Sequence, residues 1–160
     1  MAAQEENQEP TARTAEHSEP DPSSEPLAAL TPFGKELLEA SLDVLRDFSP
    51  EPGALDDIPQ VSVCKEHIVE ACRLMKMDSR IAASMLLCLA CVDYTDYFQL
   101  VYILQSLDPE RTIVLRTDVP YSDISVPSVT SVWRGADWYE REAHDPVSYT
   151  HLTLPTILLV

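Results

Sequence analysis

Apolar residues along the chain follow two periods, and the places where the period changes mark the elements. Leu38, Leu42 and Leu45 recur at helical spacing, flanked by Leu37, Val44 and Phe48. Thr31-Pro32 precedes them as an N-cap and a first-turn proline, whose missing N–H costs nothing there. The pattern predicts a helix that ends before Ser49-Pro50. Residues 49–59 carry Pro50, Pro52, Pro59 and Gly53, which predicts a linker.

From Gln60 the period shortens. Val61 and Val63 alternate with polar neighbours as a short strand does, and residues 65–77 then read as a helix with Ile68, Cys72 and Met75 on its apolar face. Residues 85–92 (MLLCLACV) are apolar almost throughout, so period alone does not separate buried strand from buried helix. The next two segments favour strand: residues 97–105 alternate around Phe98, Leu100, Tyr102 and Leu104, and residues 113–119 hold branched side chains at strand spacing. Short polar connections at 93–96 and 106–111 suit antiparallel hairpins. Pro127-Ser128 then gives a break and an N-cap, and residues 128–145 read as a helix interrupted at Gly135. The order strand, helix, three strands, helix predicts an α+β fold. Its simplest form is a two-layer sandwich, an antiparallel or mixed sheet with helices on one face.

Composition sets the limits of this domain. Residues 1–30 are rich in Glu, Pro, Ser and Ala and bury too little to offset the entropy of ordering, so they read as a disordered acidic tail. The helix and Pro-rich linker occupy 31–59, and the α+β domain 60–145. A formal charge of -16, from 27 acidic against 11 basic residues, repels a phosphate backbone and excludes nucleic acid as a partner. It suits assembly against a surface that presents Lys and Arg. The longest apolar run, residues 81–92, is shorter than the roughly 20 residues of a membrane-spanning helix. The N-terminus has neither a basic start nor an apolar stretch before a cleavage site, so a cytoplasmic protein with reduced thiols is expected.

Four groups of residues carry a resemblance. They are Cys91-Val92-Asp93-Tyr94, then Phe98-Gln99-Leu100-Val101-Tyr102-Ile103-Leu104, then Pro127-Ser128-Val129-Thr130-Ser131-Val132-Trp133, and last Ala136-Asp137-Trp138-Tyr139-Glu140-Arg141-Glu142 with Asp145. In order and spacing this resembles the C-subunit family of the proton-pumping NADH:quinone oxidoreductase, respiratory complex I, over roughly residues 57–145 and in agreement with the element order. The resemblance implies a non-catalytic component of the hydrophilic arm, at the cytoplasmic face of the plasma membrane. Its partners would be other hydrophilic-arm subunits, notably those framing the quinone site. FMN, iron–sulfur clusters and quinone would be held by those subunits and none by this chain. Related proteins occur in membrane-bound hydrogenases, which gives an alternative complex. After Asp145 the chain departs from the family pattern at Pro146, and residues 146–160, ending THLTLPTILLV, look like translated adapter sequence and are read as a non-native tail.

Candidate chemistry is sparse. Cys88 and Cys91 form a C-x-x-C, but strand positions three apart point to opposite faces and no second pair follows at zinc spacing, so core cysteines are expected, as at Cys64 and Cys72. The three glycines, Gly34, Gly53 and Gly135, form no phosphate-binding loop, which excludes a bound dinucleotide. Glu140, His144 and Asp145 give a free-standing small enzyme its only acid/base candidates, without a nucleophile beside them; Arg141 pairs equally well with Asp145 one turn on. Trp133, Trp138 and Tyr139 crowd aromatic surface beside opposite charges, the composition of an interface with an apolar centre and polar rim. Trp133 is expected as the inward structural anchor. Trp138, Glu140, Arg141, Glu142 and Asp145 are expected as partner-docking residues. Of the neighbours Trp138 and Tyr139, one must face outward.

Overall fold

A computed structural model describes residues 27, 30–107 and 109–148, with the backbone alone for 145–148. Helix α1, Pro32–Val44, starts at Thr31, whose hydroxyl accepts from the Gly34 N–H at 3.1 Å. A 3-10 turn, Arg46–Phe48, leads into β1, Glu51–Leu55, and β2, Ile58–Ser62. A second 3-10 turn, Lys65–His67, opens α2, Ile68–Met77. Strands β3, Met85–Tyr94, β4, Tyr97–Leu107, and β5, Glu110–Pro120, form a meander, and α3, Ala136–Ser148, closes the order.

The five strands make one mixed sheet in the order β1-β2-β5-β4-β3. All pairs are antiparallel except β2 with β5, joined in parallel through Gln60–Val114, Val61–Leu115 and Ser62–Arg116. Because strand side chains alternate, this register sorts the sheet into rows. Val61, Leu115, Tyr102 and Leu89 share one row, and Ile113, Leu104 and Leu86 the next. Both rows lie in the core beneath Leu37 and Leu38 of α1, Ile68, Cys72 and Met75 of α2, and Ala136 of α3. The sandwich is therefore α+β in two layers with its helices on one face. Each fully buried Ile or Leu contributes about 1.5–3 kcal/mol, which makes these rows the main source of cohesion.

The other face of the sheet carries no helix among the described residues. Its rows are Cys88, Ile103, Val114 and Gln60, then Ala90, Val101, Arg116, Ser62 and Glu51. A register shift between Leu86 and Cys88 marks a bulge at Leu87, which lets Leu86 and Leu89 both face the helices although they are three apart. Cys91 pairs with Leu100 and Cys88 with Ile103, so the two thiols lie on opposite faces.

Four expectations are corrected. Residues 49–59 are a β-hairpin edge and not a linker: Pro52 and Gly53 are tolerated because β1 is an edge strand, and Asp56, at φ 53°, makes the tight two-residue turn. Leu30 is buried with the core, so packing begins inside the segment read as the acidic tail; residues 1–26, 28–29 and 149–160 lie outside those described. Residues 128–135 are turns and irregular chain, and the helix begins only at Ala136. Its β-branched run Val129, Thr130, Val132 is poor helix material, and the Val129 N–H is taken by a side chain from α3. Lastly, only Cys72 is a buried cysteine: Cys64 is exposed and Cys88 and Cys91 are half-buried.

Thr31→Ala removes the one side-chain cap of α1 and should lower the unfolding free energy in urea by about 1 kcal/mol with an unchanged m-value. An unchanged midpoint would mean that water replaces the hydroxyl without loss.

Candidate functional site

The chain between β5 and α3, residues 121–135, has little regular structure, and three charged side chains pin it. Lys65, itself buried, directs Nζ to the Asp123 carbonyl at 2.7 Å, the Asp123 carboxylate at 2.6 Å and the Ser125 carbonyl at 3.1 Å. Three acceptors satisfy the three ammonium donors, and the Lys65 hydrogen bond holds the Asp123 carboxyl below its usual range. Lys76 at the end of α2 donates to the Val132 carbonyl at 2.6 Å and stands 5.9 Å from the centre of the Trp133 ring. The third is Glu140 on α3. One carboxylate oxygen accepts from the Val129 N–H at 2.8 Å and the other from the Ser128 hydroxyl at 2.7 Å.

Trp133 is buried at 6% exposure within the core cluster, and its indole Nε1 has no hydrogen-bond partner. Beside it a cleft of ≈ 640 Å³ opens between the end of α2, the start of β3 and residues 130–135. Its titratable lining groups are Lys76 and Arg134, both cations, which make no acid/base pair. No group of three His, Cys, Asp or Glu side chains that could hold a metal ion occurs among the described residues.

On α3 the faces separate cleanly. Tyr139 and Ala143 pack on the core, whereas Trp138 is 70% exposed. Arg141 stands 5.6 Å from the Trp138 ring centre and pairs with Asp137 at 2.9 Å, one turn back. Glu142 is exposed. The Asp145 side chain lies outside the described residues, and of the expected docking group the structure brings Trp138, Arg141 and Glu142 together at the surface. Glu140 points the other way, into the 128–129 turn. Burial pushes its carboxyl above the ordinary glutamate value against the opposing pull of its two hydrogen bonds, and Asp137 adds to the rise. Burial likewise raises the Cys72 thiol and the Tyr102 hydroxyl beneath it.

Sequence reasoning missed Lys65, Lys76 and the inward role of Glu140. A capping-type signal, Ser128 ahead of a glutamate, existed only across 12 residues, too far for a local motif.

Residues 61–148 match the family described as "Respiratory-chain NADH dehydrogenase, 30 Kd subunit". The chain belongs to that family. The match runs from the end of β2 through α2, strands β3 to β5, the pinned loop and α3. Among relatives, the NADH-quinone oxidoreductase C subunit of Geobacter sulfurreducens is 31% identical over 115 residues, covering 69% of this chain and 65% of the relative. That of Citrifermentans bemidjiense is 35% identical over 88 residues, covering 53% of each. The chain thus spans between half and two thirds of the length of these two relatives. A trypsin-resistant fragment of Nqo5 shares the fold at TM-score 0.61 and 22% identity, covering 78% of this chain and 99% of the fragment. A chain of the membrane-bound sulfane sulfur reductase, an archaeal respiratory membrane complex, superposes at TM-score 0.60 and 22% identity, covering 70% of this chain and 66% of that one.

The packing of α3 can be tested at two positions. Trp133→Ala should cost about 3–5 kcal/mol in chemical denaturation, and a loss below about 1 kcal/mol would remove its role as anchor. For Glu140 the folded value lies above the unfolded one, so the folded chain holds the proton more tightly. Its contribution is complete below the ordinary glutamate value and is lost as pH rises through the raised one. Melting temperatures across that window should fall with pH more steeply for wild type than for Glu140→Gln. Glu140→Ala, which strands the buried Val129 N–H, should lose about 1–3 kcal/mol at any pH. Identical pH slopes for wild type and Glu140→Gln would refute the assignment.

Proposed function

We propose that this chain is a non-catalytic subunit of the peripheral arm of a proton-translocating NADH:quinone oxidoreductase. In this role it supports electron transfer from NADH to quinone through FMN and iron–sulfur clusters that other subunits hold. The observation that carries the reading is the outward face of α3. Trp138, exposed at 70%, stands with Arg141 and Glu142 on a helix that lies within the family match. A large exposed aromatic beside a guanidinium is costly to leave in water and is the usual anchor of a protein interface.

The physical role is placement. The core rows fix the sheet, Lys65, Lys76 and Glu140 fix the loop on the sheet, and the loop fixes the start of α3, so that its outer side chains meet a partner already positioned. Arg141 is held by Asp137 in an orientation that leaves its remaining donors for a partner carboxylate, which a lysine cannot match bidentately. Neighbours of the quinone site are the natural partners, and in this role the chain sits with its complex at the cytoplasmic face of the plasma membrane. No helix among the described residues is long and apolar enough to cross a membrane.

Co-expression with the remaining hydrophilic-arm subunits tests this role. Wild-type chain should co-purify with them. Trp138→Ala and Arg141→Ala should keep the stability of the free chain within about 0.5 kcal/mol of wild type, as exposed substitutions do, while lowering recovery in the complex about tenfold. Normal recovery of both variants would remove α3 from the interface, and failure of the wild type to co-purify would remove the subunit role itself.

A further inference from the structure

The helix-free face of the sheet holds a charge that the chain leaves unsatisfied. Arg116 lies near the middle of β5, flanked in its row by Val101 and Ser62, and only 6% of it is exposed. Its side chain makes no ion pair or hydrogen bond among the described residues, and its buried Nε has no acceptor. Glu51 stands further along the same row and Asp118 two residues along the strand, but neither is bonded to it; the Asp118 carboxylate accepts from Gln99 Nε2 at 2.8 Å. Gln60, 4% exposed on the same face, has a buried Oε1 that likewise lacks a donor.

The surroundings are built around this guanidinium. Gly53 supplies the space: a Cβ there would meet Arg116 Nη2 at 3.1 Å and Gln60 Oε1 at 3.8 Å. Half-buried Val101 and Ile103 and buried Val114 form an apolar floor beside it, with exposed Val92 and Met85 toward the β3 edge. A guanidinium held near nine-tenths burial without a counter-charge is costly, and truncating or pairing it relieves that cost. A guanidinium receives a carboxylate through two parallel hydrogen bonds.

We propose that this face is a second docking surface, remote from the outer side of α3. Its occupant is a segment of a neighbouring hydrophilic-arm subunit that lays apolar side chains on Val101, Ile103 and Val114 and delivers one Asp or Glu carboxylate to Arg116. The inference rests on the subunit role proposed above. Charge complementarity selects the occupant: the chain as a whole is strongly acidic, yet this face presents an unpaired cation, so the matching group is an anion brought from outside.

Cys88 is a native reporter, since it shares a row with Ile103 and Val114. The full chain, alone and co-purified with the other arm subunits, is treated with iodoacetamide and Cys88 modification is read by peptide mass spectrometry. At least tenfold slower labelling is expected in the complex. In parallel, Arg116→Met should hold or raise the melting temperature of the free chain while lowering recovery in the complex at least tenfold, with Arg116→Lys intermediate. A purely structural arginine would instead lower the melting temperature, which would overturn the proposal. Failure of Arg116→Met to fold would count with a lowered melting temperature and overturn the proposal as well. Equal Cys88 labelling in free and assembled wild type would overturn the inference while leaving the subunit role intact. Wild type that does not co-purify at all would remove the subunit role first. If Cys88 is already shielded in the free chain and deletion of residues 1–26 exposes it, the chain's own acidic start is the occupant and the proposal falls.

Discussion

The parallel pairing of β2 with β5 is the joint on which the rest of the structure depends. Three register pairs, Gln60–Val114, Val61–Leu115 and Ser62–Arg116, join the N-terminal hairpin and α1 to a meander that begins over twenty residues later. Because side chains alternate strictly along a strand, this register decides both faces at once. It sends Val61 and Leu115 beneath the helices and leaves Gln60, Ser62 and Arg116 on the opposite side. A slip of one residue would exchange the two sets, placing a guanidinium in the core and a leucine outside. The apolar row forbids that slip, so the position of the unpaired arginine follows from the hydrophobic effect acting on its neighbours.

Charges do the finer positioning. Lys65 and Lys76 each come from the α2 region and take up carbonyls of the chain after β5, whereas Glu140 reaches back from α3 to the same segment. The loop thus gains its shape from groups outside itself, which is why it needs no regular secondary structure. Each of these contacts stabilises little alone, but a buried charge stripped of its partners is expensive, so the three act as a specification of geometry more than as a reservoir of stability. The exposed side of α3 inherits its orientation from them.

Much of this could be read from residue order. The meander was legible because Phe98, Leu100, Tyr102 and Leu104 alternate in a segment long enough for period two to be unmistakable. That one of Trp138 and Tyr139 turns outward followed from their adjacency. Strand β1 was hidden because Pro52 and Gly53, which speak against strand in general, are harmless at an edge. The start of α3 was misplaced because Ser128 looks like a helix cap locally while its hydroxyl serves Glu140 across the turn. Lys65 and Lys76 went unnoticed; their acceptors lie 56–60 residues away, a distance over which sequence pattern carries no signal. Arg116 was invisible for a related reason: nothing in a row of alternating residues tells which polar side chain will end up shielded.

The two borders of the sheet are unequal. Strand β1 is five residues long and interrupted by a proline, whereas β3 is ten residues long, contains neither proline nor lysine, and has no strand on its outer side among the described residues. Polymerisation by sheet extension requires two adhesive ends per molecule, as a monomer with one reactive group yields only pairs. A copy that has not yet met its neighbours therefore has one sticky border and one blunt one. Any strand-to-strand self-association through β3 closes on itself as a dimer and does not propagate into a fibre.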